Sequence, residues 1–199
     1  SLKRYKEAIK ALELVCRIAP LNQGYWTLLS TAYKANGDEA KYNQLCDYQS
    51  FVSVQSLLGN EDANTKFINL LRAHLITLHN NERHPIGQSL RNGSQTFENL
   101  FDSTHPVIKE LRSAIEARAK EFLSTLTRVK KHPFLSRLSQ DIDFIGSWSV
   151  RLRQKGFHKS HYHSEGWLSG VLYVDVPAEV KINGHGWLVF GRPDIVASI

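Results

Sequence analysis

Residues 147–156 read SWSVRLRQKG, with apolar and polar side chains in alternation. A period of two is the mark of a strand with one covered face. The pattern turns Trp148, Val150 and Leu152 inward and Ser149, Arg151 and Arg153 to the other side. Residues 167–177, WLSGVLYVDVP, repeat it, with Leu168, Gly170, Leu172 and Val174 opposite Ser169, Val171, Tyr173 and Asp175. Residues 179–191, EVKINGHGWLVFG, then read as two short strands joined at Asn183-Gly184, the strongest short hairpin signal. The chain is therefore expected to be antiparallel β from about residue 144 onward.

Upstream the period changes to that of a helix. Ala8, Leu12 and Val15 share a face that stops at Pro20, and Trp26, Leu29 and Tyr33 share the next, before a turn at Gly37-Asp38. In residues 64–80 the apolar stripe is Phe67, Leu70, Leu71, His74, Leu75 and Leu78, where His74 is expected as a core histidine. In residues 104–126, Pro106 suits the first turn, and Ile108, Leu111, Ile115, Ala119, Phe122 and Leu126 carry the stripe. Between these helices, residues 84–101 (HPIGQSLRNGSQTFENLF) read as a polar, glycine-containing loop of the kind that borders sites. Helices first and strands last make an α+β chain.

The 199 residues are 42% hydrophobic and 22% charged, enough to bury a core. The net charge of +6 comes from scattered basic residues with no run longer than Lys130-Lys131. That distribution favours solubility over nucleic-acid binding, and no apolar run is long enough for a membrane span. Cys16 and Cys46 lie in helical patterns without a CxxC motif and are expected as free thiols, so a cytoplasmic setting is expected. The chain has no methionine, even at position 1, and begins inside a helical pattern, which reads as a piece of a longer protein.

Residues 156–167, GFHKSHYHSEGW, place three histidines in six positions, followed by a glutamate. In an extended HxH, side chains two apart point the same way, so His161 and His163 can reach one metal at 2.0–2.1 Å. His163-Ser164-Glu165 satisfies a His-x-acid spacing, and iron oxygenases use two histidines and a carboxylate, so two registers stay open. His158 is expected to support a ligand from outside the metal's own donors. His185 is expected to be exposed at the hairpin tip. A zinc hydrolase or lyase using His158, His161 and His163 is a rival reading, as is a non-enzymatic interaction module built on the helices.

Several blocks resemble known families. Ala8, Leu12, Val15 and Pro20, then Trp26, Leu29, Ser30 and Tyr33, fit one register of the tetratricopeptide pattern, which fades at Tyr42. The run from Gly146 to Pro177, with SLRNGSQT and CDYQSFVSV upstream, resembles 2-oxoglutarate- and Fe(II)-dependent oxygenases that carry such repeats at the N-terminus. The resemblance divides the chain into a tetratricopeptide-like segment (1–47), a helical lead-in (48–135) and part of a double-stranded β-helix, or jelly roll (136–199). It implies Fe(II) and 2-oxoglutarate as cofactors. It puts His161 at the first-ligand position and His163 where better-known relatives have Asp or Glu, with Glu165 in reserve.

Tyr173, Ser169 and Arg151 (or Arg153) fall where cofactor-pocket residues would. Only 36 residues follow His163, and the family's distal ligand and 2-oxoglutarate anchor are expected to lie beyond them. The repeat-like start hints at a protein or peptide partner. Exposed strand edges of an unfinished barrel would favour homo-oligomers.

Overall fold

A computed structural model describes residues 4–79, 87–181 and 184–193. Three helices open the chain: α1 (Tyr5–Ile18), α2 (Gln23–Ala35) and α3 (Glu39–Leu45). Short polar caps set their starts. The Asn22 side chain accepts from the Gly24 N–H at 2.9 Å, and Asp38 accepts from the Lys41 N–H at 3.2 Å. Cys16, Leu29, Tyr33, Tyr42 and Leu45 form their common core, with Ile9, Leu12, Trp26 and Phe134 against it. The inward face of α1 is thus Ile9, Leu12 and Cys16, while Ala8 is exposed. This is a helical hairpin with a third helix; the tetratricopeptide repeat itself is not established by it.

A short helix, α4 (Tyr48–Phe51), leads to the second core, built on α5 (Glu61–Leu78) and α6 (Pro106–Thr125). Asn60 caps α5 by accepting from the Ala63 N–H at 2.9 Å, and Glu61 and Asp62 in the first turn complement the helix dipole. Pro106 opens α6, and His105 Nδ1 accepts from the Val107 N–H at 3.3 Å. Phe67, Leu71 and Leu75 meet Val107, Ile108 and Leu111. Leu71 and Ile108 are fully buried, each stabilising by about 1.5–3 kcal/mol relative to exposure. The stripe on α5 is narrower than its sequence suggests, since Leu70 and Leu78 are exposed.

The sheet has two antiparallel strands, β1 (Leu90–Gln95) and β2 (Val150–His158). β1 falls in the segment expected to be a loop, and its pattern hides it because its buried residues include Ser94 and Gln95. Leu90 pairs with His158 and Arg91 with Phe157, after which the register jumps so that Gly93 pairs with Leu152. Residues 153–156 bulge out of β2, with Lys155 at φ 61° facing Asn92 at φ 54°. Asn92 Nδ2 donates to the Gln154 carbonyl at 2.7 Å and closes the bulge.

The expected faces at the start of β2 hold only in part: Val150 is half-buried and Arg151 and Arg153 are exposed, as expected, but the flanking positions differ. Ser149 is buried, while Trp148 and Leu152 are largely exposed. The reason is polar: His79, which caps α5, lies between Ser94 Oγ (2.8 Å from Nδ1) and Ser149 Oγ (2.9 Å from Nε2). Burying a hydroxyl is tolerated where it is hydrogen-bonded.

Residues 171–175 keep their alternation without a ladder, whereas Leu168, expected inward, is exposed. Leu172 and Val174 pack on the α5/α6 core while Val171 and Tyr173 face outward, and Arg72 Nε donates to Asp175 Oδ2 at 2.6 Å. Alternation specifies an extended backbone over an apolar surface; a ladder also needs a neighbouring strand. Among the described residues the strands of a jelly roll are not assembled. Ala178–Lys181 is a 3₁₀ turn, residues 187–190 are not in a strand, and Asn183 of the expected hairpin lies outside the described residues. Mixed helix and antiparallel sheet is the observed class. No described helix is long and apolar enough to cross a membrane.

Candidate metal centre

β2 ends at His158, and the HxH pair follows in a loop rather than in the strand. Backbone contacts hold this loop from both sides. The Lys159 N–H donates to the Ser89 carbonyl at 3.0 Å, and the Gln23 N–H, at the amino end of α2, donates to the Ser164 carbonyl at 2.8 Å. Tyr162 lies against Gly24, where a Cβ would come within 2.8 Å of its ring. A glycine in a helix costs about 1 kcal/mol relative to alanine, and here its missing side chain makes room for the tyrosine. No local signal in the sequence links Gly24 to Tyr162, because the contact joins two segments far apart in the chain.

With Tyr162 docked on α2, its neighbours come together. The His161 and His163 rings lie 5.2 Å apart, centroid to centroid, at 77°. Two imidazoles on one metal at bond lengths of 2.0–2.1 Å would place their centroids roughly 4.5–5.5 Å apart, so the separation fits a shared ion. His161 Nδ1–H donates to the Lys159 carbonyl at 2.8 Å. That bond fixes the tautomer and leaves Nε2 with its lone pair, as metal-bound histidines require. His163 lies 5.6 Å from the Trp148 ring. Burial, and then the nearby His161, lower the pKa of both His158 and His163, which favours neutral rings.

His158 lies 5.8 Å from His161, and its Nδ1 meets the Ser89 hydroxyl at 2.9 Å. It abuts the pair from the end of β2. Glu165 is exposed, and among the described residues no group of three His, Cys, Asp or Glu side chains converges on one metal position. The zinc site of three histidines is likewise not formed. His161 and His163 therefore meet the imidazole part of a two-histidine, one-carboxylate set and not its carboxylate.

The other expected site residues have partners or surroundings of their own. The Tyr173 hydroxyl donates to the Gly186 carbonyl at 3.4 Å, Ser169 is exposed, and Arg151 pairs across the sheet with Ser94. No hydrogen bond or ring contact joins them to His161 or His163 among the described residues. His185 is exposed in a turn, as expected, and Cys16 and Cys46 are free thiols. Burial first, and then Glu13, push the Cys16 thiol up to about 11, which leaves it unreactive at neutral pH.

The His loop lies inside a segment with a family likeness. Residues 146–197 match the family model described as "Putative 2OG-Fe(II) oxygenase". The match covers about a quarter of the chain and contains β2 from its first residue, the HxH pair and Glu165. The cofactors of that family are Fe(II) and 2-oxoglutarate. No curated protein and no solved structure matches the chain.

Proposed function

We propose that this chain carries the histidine half of an Fe(II)- and 2-oxoglutarate-dependent oxygenase site, with His161 and His163 as ligands and a protein or peptide as the class of substrate. The observation that carries this reading is the 5.2 Å approach of the two rings within the segment that matches the oxygenase family. When bound with 2-oxoglutarate and oxygen, Fe(II) supplies an oxidant strong enough to hydroxylate a C–H bond.

The protein's part is to present two imidazole donors at one place. Lys159 holds the His161 tautomer, Trp148 and Tyr162 hold the loop's two faces, and α2 carries the loop through Gln23 and Gly24. Glu165 is the nearest carboxylate in sequence for a third ligand. Arg151, Ser169 and Tyr173 are candidates for contacts to 2-oxoglutarate, on the strand pattern alone. The helical start, read as tetratricopeptide-like, supports a polypeptide partner, and the free thiols support a cytoplasmic setting. Completion of the barrel by strands outside the matched segment is part of the same proposal, as is pairing of exposed edges between copies.

The test is anaerobic titration with Fe(II), with and without 2-oxoglutarate, followed by the visible charge-transfer band of the chelate. A band that is lost in the His161→Ala, His163→Ala double variant is the expected outcome. Iron binding that is equal in the variant would overturn the assignment.

A further inference from the structure

On the far side of α2 from the His loop, a cleft of about 550 Å³ opens between the first three helices and residues 130–137. Arg17, Lys41, Lys130, Lys131 and Arg137 line it beside Trp26, and among the described residues no acidic side chain does. Lys41 is already matched, since its Nζ lies 3.0 Å from Glu13, whose carboxylate also accepts from the Tyr33 hydroxyl at 2.8 Å. Arg17, Lys130 and Lys131 make no ion pair among the described residues. Arg137 is held by Nε, which donates to the Pro133 carbonyl at 3.2 Å, while its Nη2 is buried without a hydrogen-bond partner. A buried guanidinium nitrogen left unpaired is costly, and a planar anion is its best partner.

Hydrogen bonds brace the walls. His132, 7% exposed, donates from Nε2 to the Gln44 carbonyl at 2.8 Å. Its Nδ1 accepts from the N–H groups of Phe134 and Leu135, both at 3.1 Å. Both ring nitrogens are engaged with the ring neutral, so His132 braces the cleft without adding charge. The Trp26 indole N–H donates to the Pro20 carbonyl at 2.8 Å and fixes the aromatic wall.

We propose that this cleft binds a small organic anion carrying two or more negative charges, borne by phosphate or carboxylate groups. Lys130, Lys131 and Arg137, with no ion pair among the described residues, and Arg17, which shares the field of Glu13 with Lys41, favour multiple charge over a single one. The volume suits a ligand of small-molecule size. The proposal does not depend on the metal reading.

Isothermal titration calorimetry of the full chain at low ionic strength, with sodium pyrophosphate and with citrate, tests it. The expected result is saturable binding at one site per chain, weakened about tenfold by Lys130→Gln together with Lys131→Gln, two exposed positions. The His161→Ala, His163→Ala variant should bind unchanged. The tighter of the two probes tells whether phosphate or carboxylate is preferred. Absence of saturable heat below about 10 mM, or equal binding by the lysine variant, would overturn the proposal, as would loss of binding in the histidine variant.

Discussion

Gly156 is enclosed by backbone: a Cβ there would collide with the Asn92 carbonyl oxygen and lie 2.9 Å from that of Arg153. Neither atom is the end of a flexible side chain, so the bulge must move to make room. Gly156→Ala is expected to destabilise the protein by about 1–3 kcal/mol, as forced overpacking does, read from urea denaturation. Gly24 differs because its neighbour is the Tyr162 ring, which can shift. At this scale the sequence was partly readable. The HxH spacing suggested a shared ion, and the rings do meet, although in a loop instead of a strand. Glu165 shows where spacing ends: it satisfies His-x-acid arithmetic, but the loop's anchors at Ser89 and α2 leave it in solvent.

Among the elements, the α5 cap ties a helix through one imidazole to β1 and to Ser149, the residue before β2. Burial, and secondarily the field of Arg151, lower the pKa of His79. Below the ordinary histidine value of about 6.5 the unfolded chain therefore takes up a proton more readily than the native one, and stability falls as pH falls. His79→Gln can still bond both serines but does not titrate. Its urea midpoint is expected to drop less than the wild type's between pH 7.5 and 5.5, roughly the window of ordinary histidine titration; equal drops would remove His79 as the cause. The long helices were legible because their caps and apolar spacing are local. β1 was not, because beside Leu90 its buried side chains are the polar Ser94 and Gln95, and Ser94 finds its partner in His79, outside the strand. Residues 167–177 show the converse: the faces were right for Leu172 and Val174, but pairing depends on a neighbour that alternation does not specify.

Across the whole molecule, the helical hairpin and the candidate ligand loop share one support, the amino end of α2. Leu29, 2% exposed at the centre of the first core, lies on the same helix. Leu29→Ala is expected to cost about 2–5 kcal/mol. Because the Gln23 N–H bonds to the Ser164 carbonyl, its hydrogen exchange should accelerate with the loss of stability if loop and hairpin open together. Exchange at Gln23 that stays unchanged would mean that the loop is held independently of the first core.

The pairing of β1 with β2 also bears on the order of events as the chain folds. Ser89 and His158, 69 residues apart, meet only after the intervening chain, α6 included, has been brought back on itself. Helices form within microseconds from neighbouring residues, whereas joining distant strands must wait for the chain between them to compact. The candidate ligand loop begins at the far end of that pairing. On the proposed assignment of His161 and His163 as ligands, a refolding chain should thus regain its helical signal before it can grip a metal ion, and a nascent chain should stay metal-blind until this late closure is made.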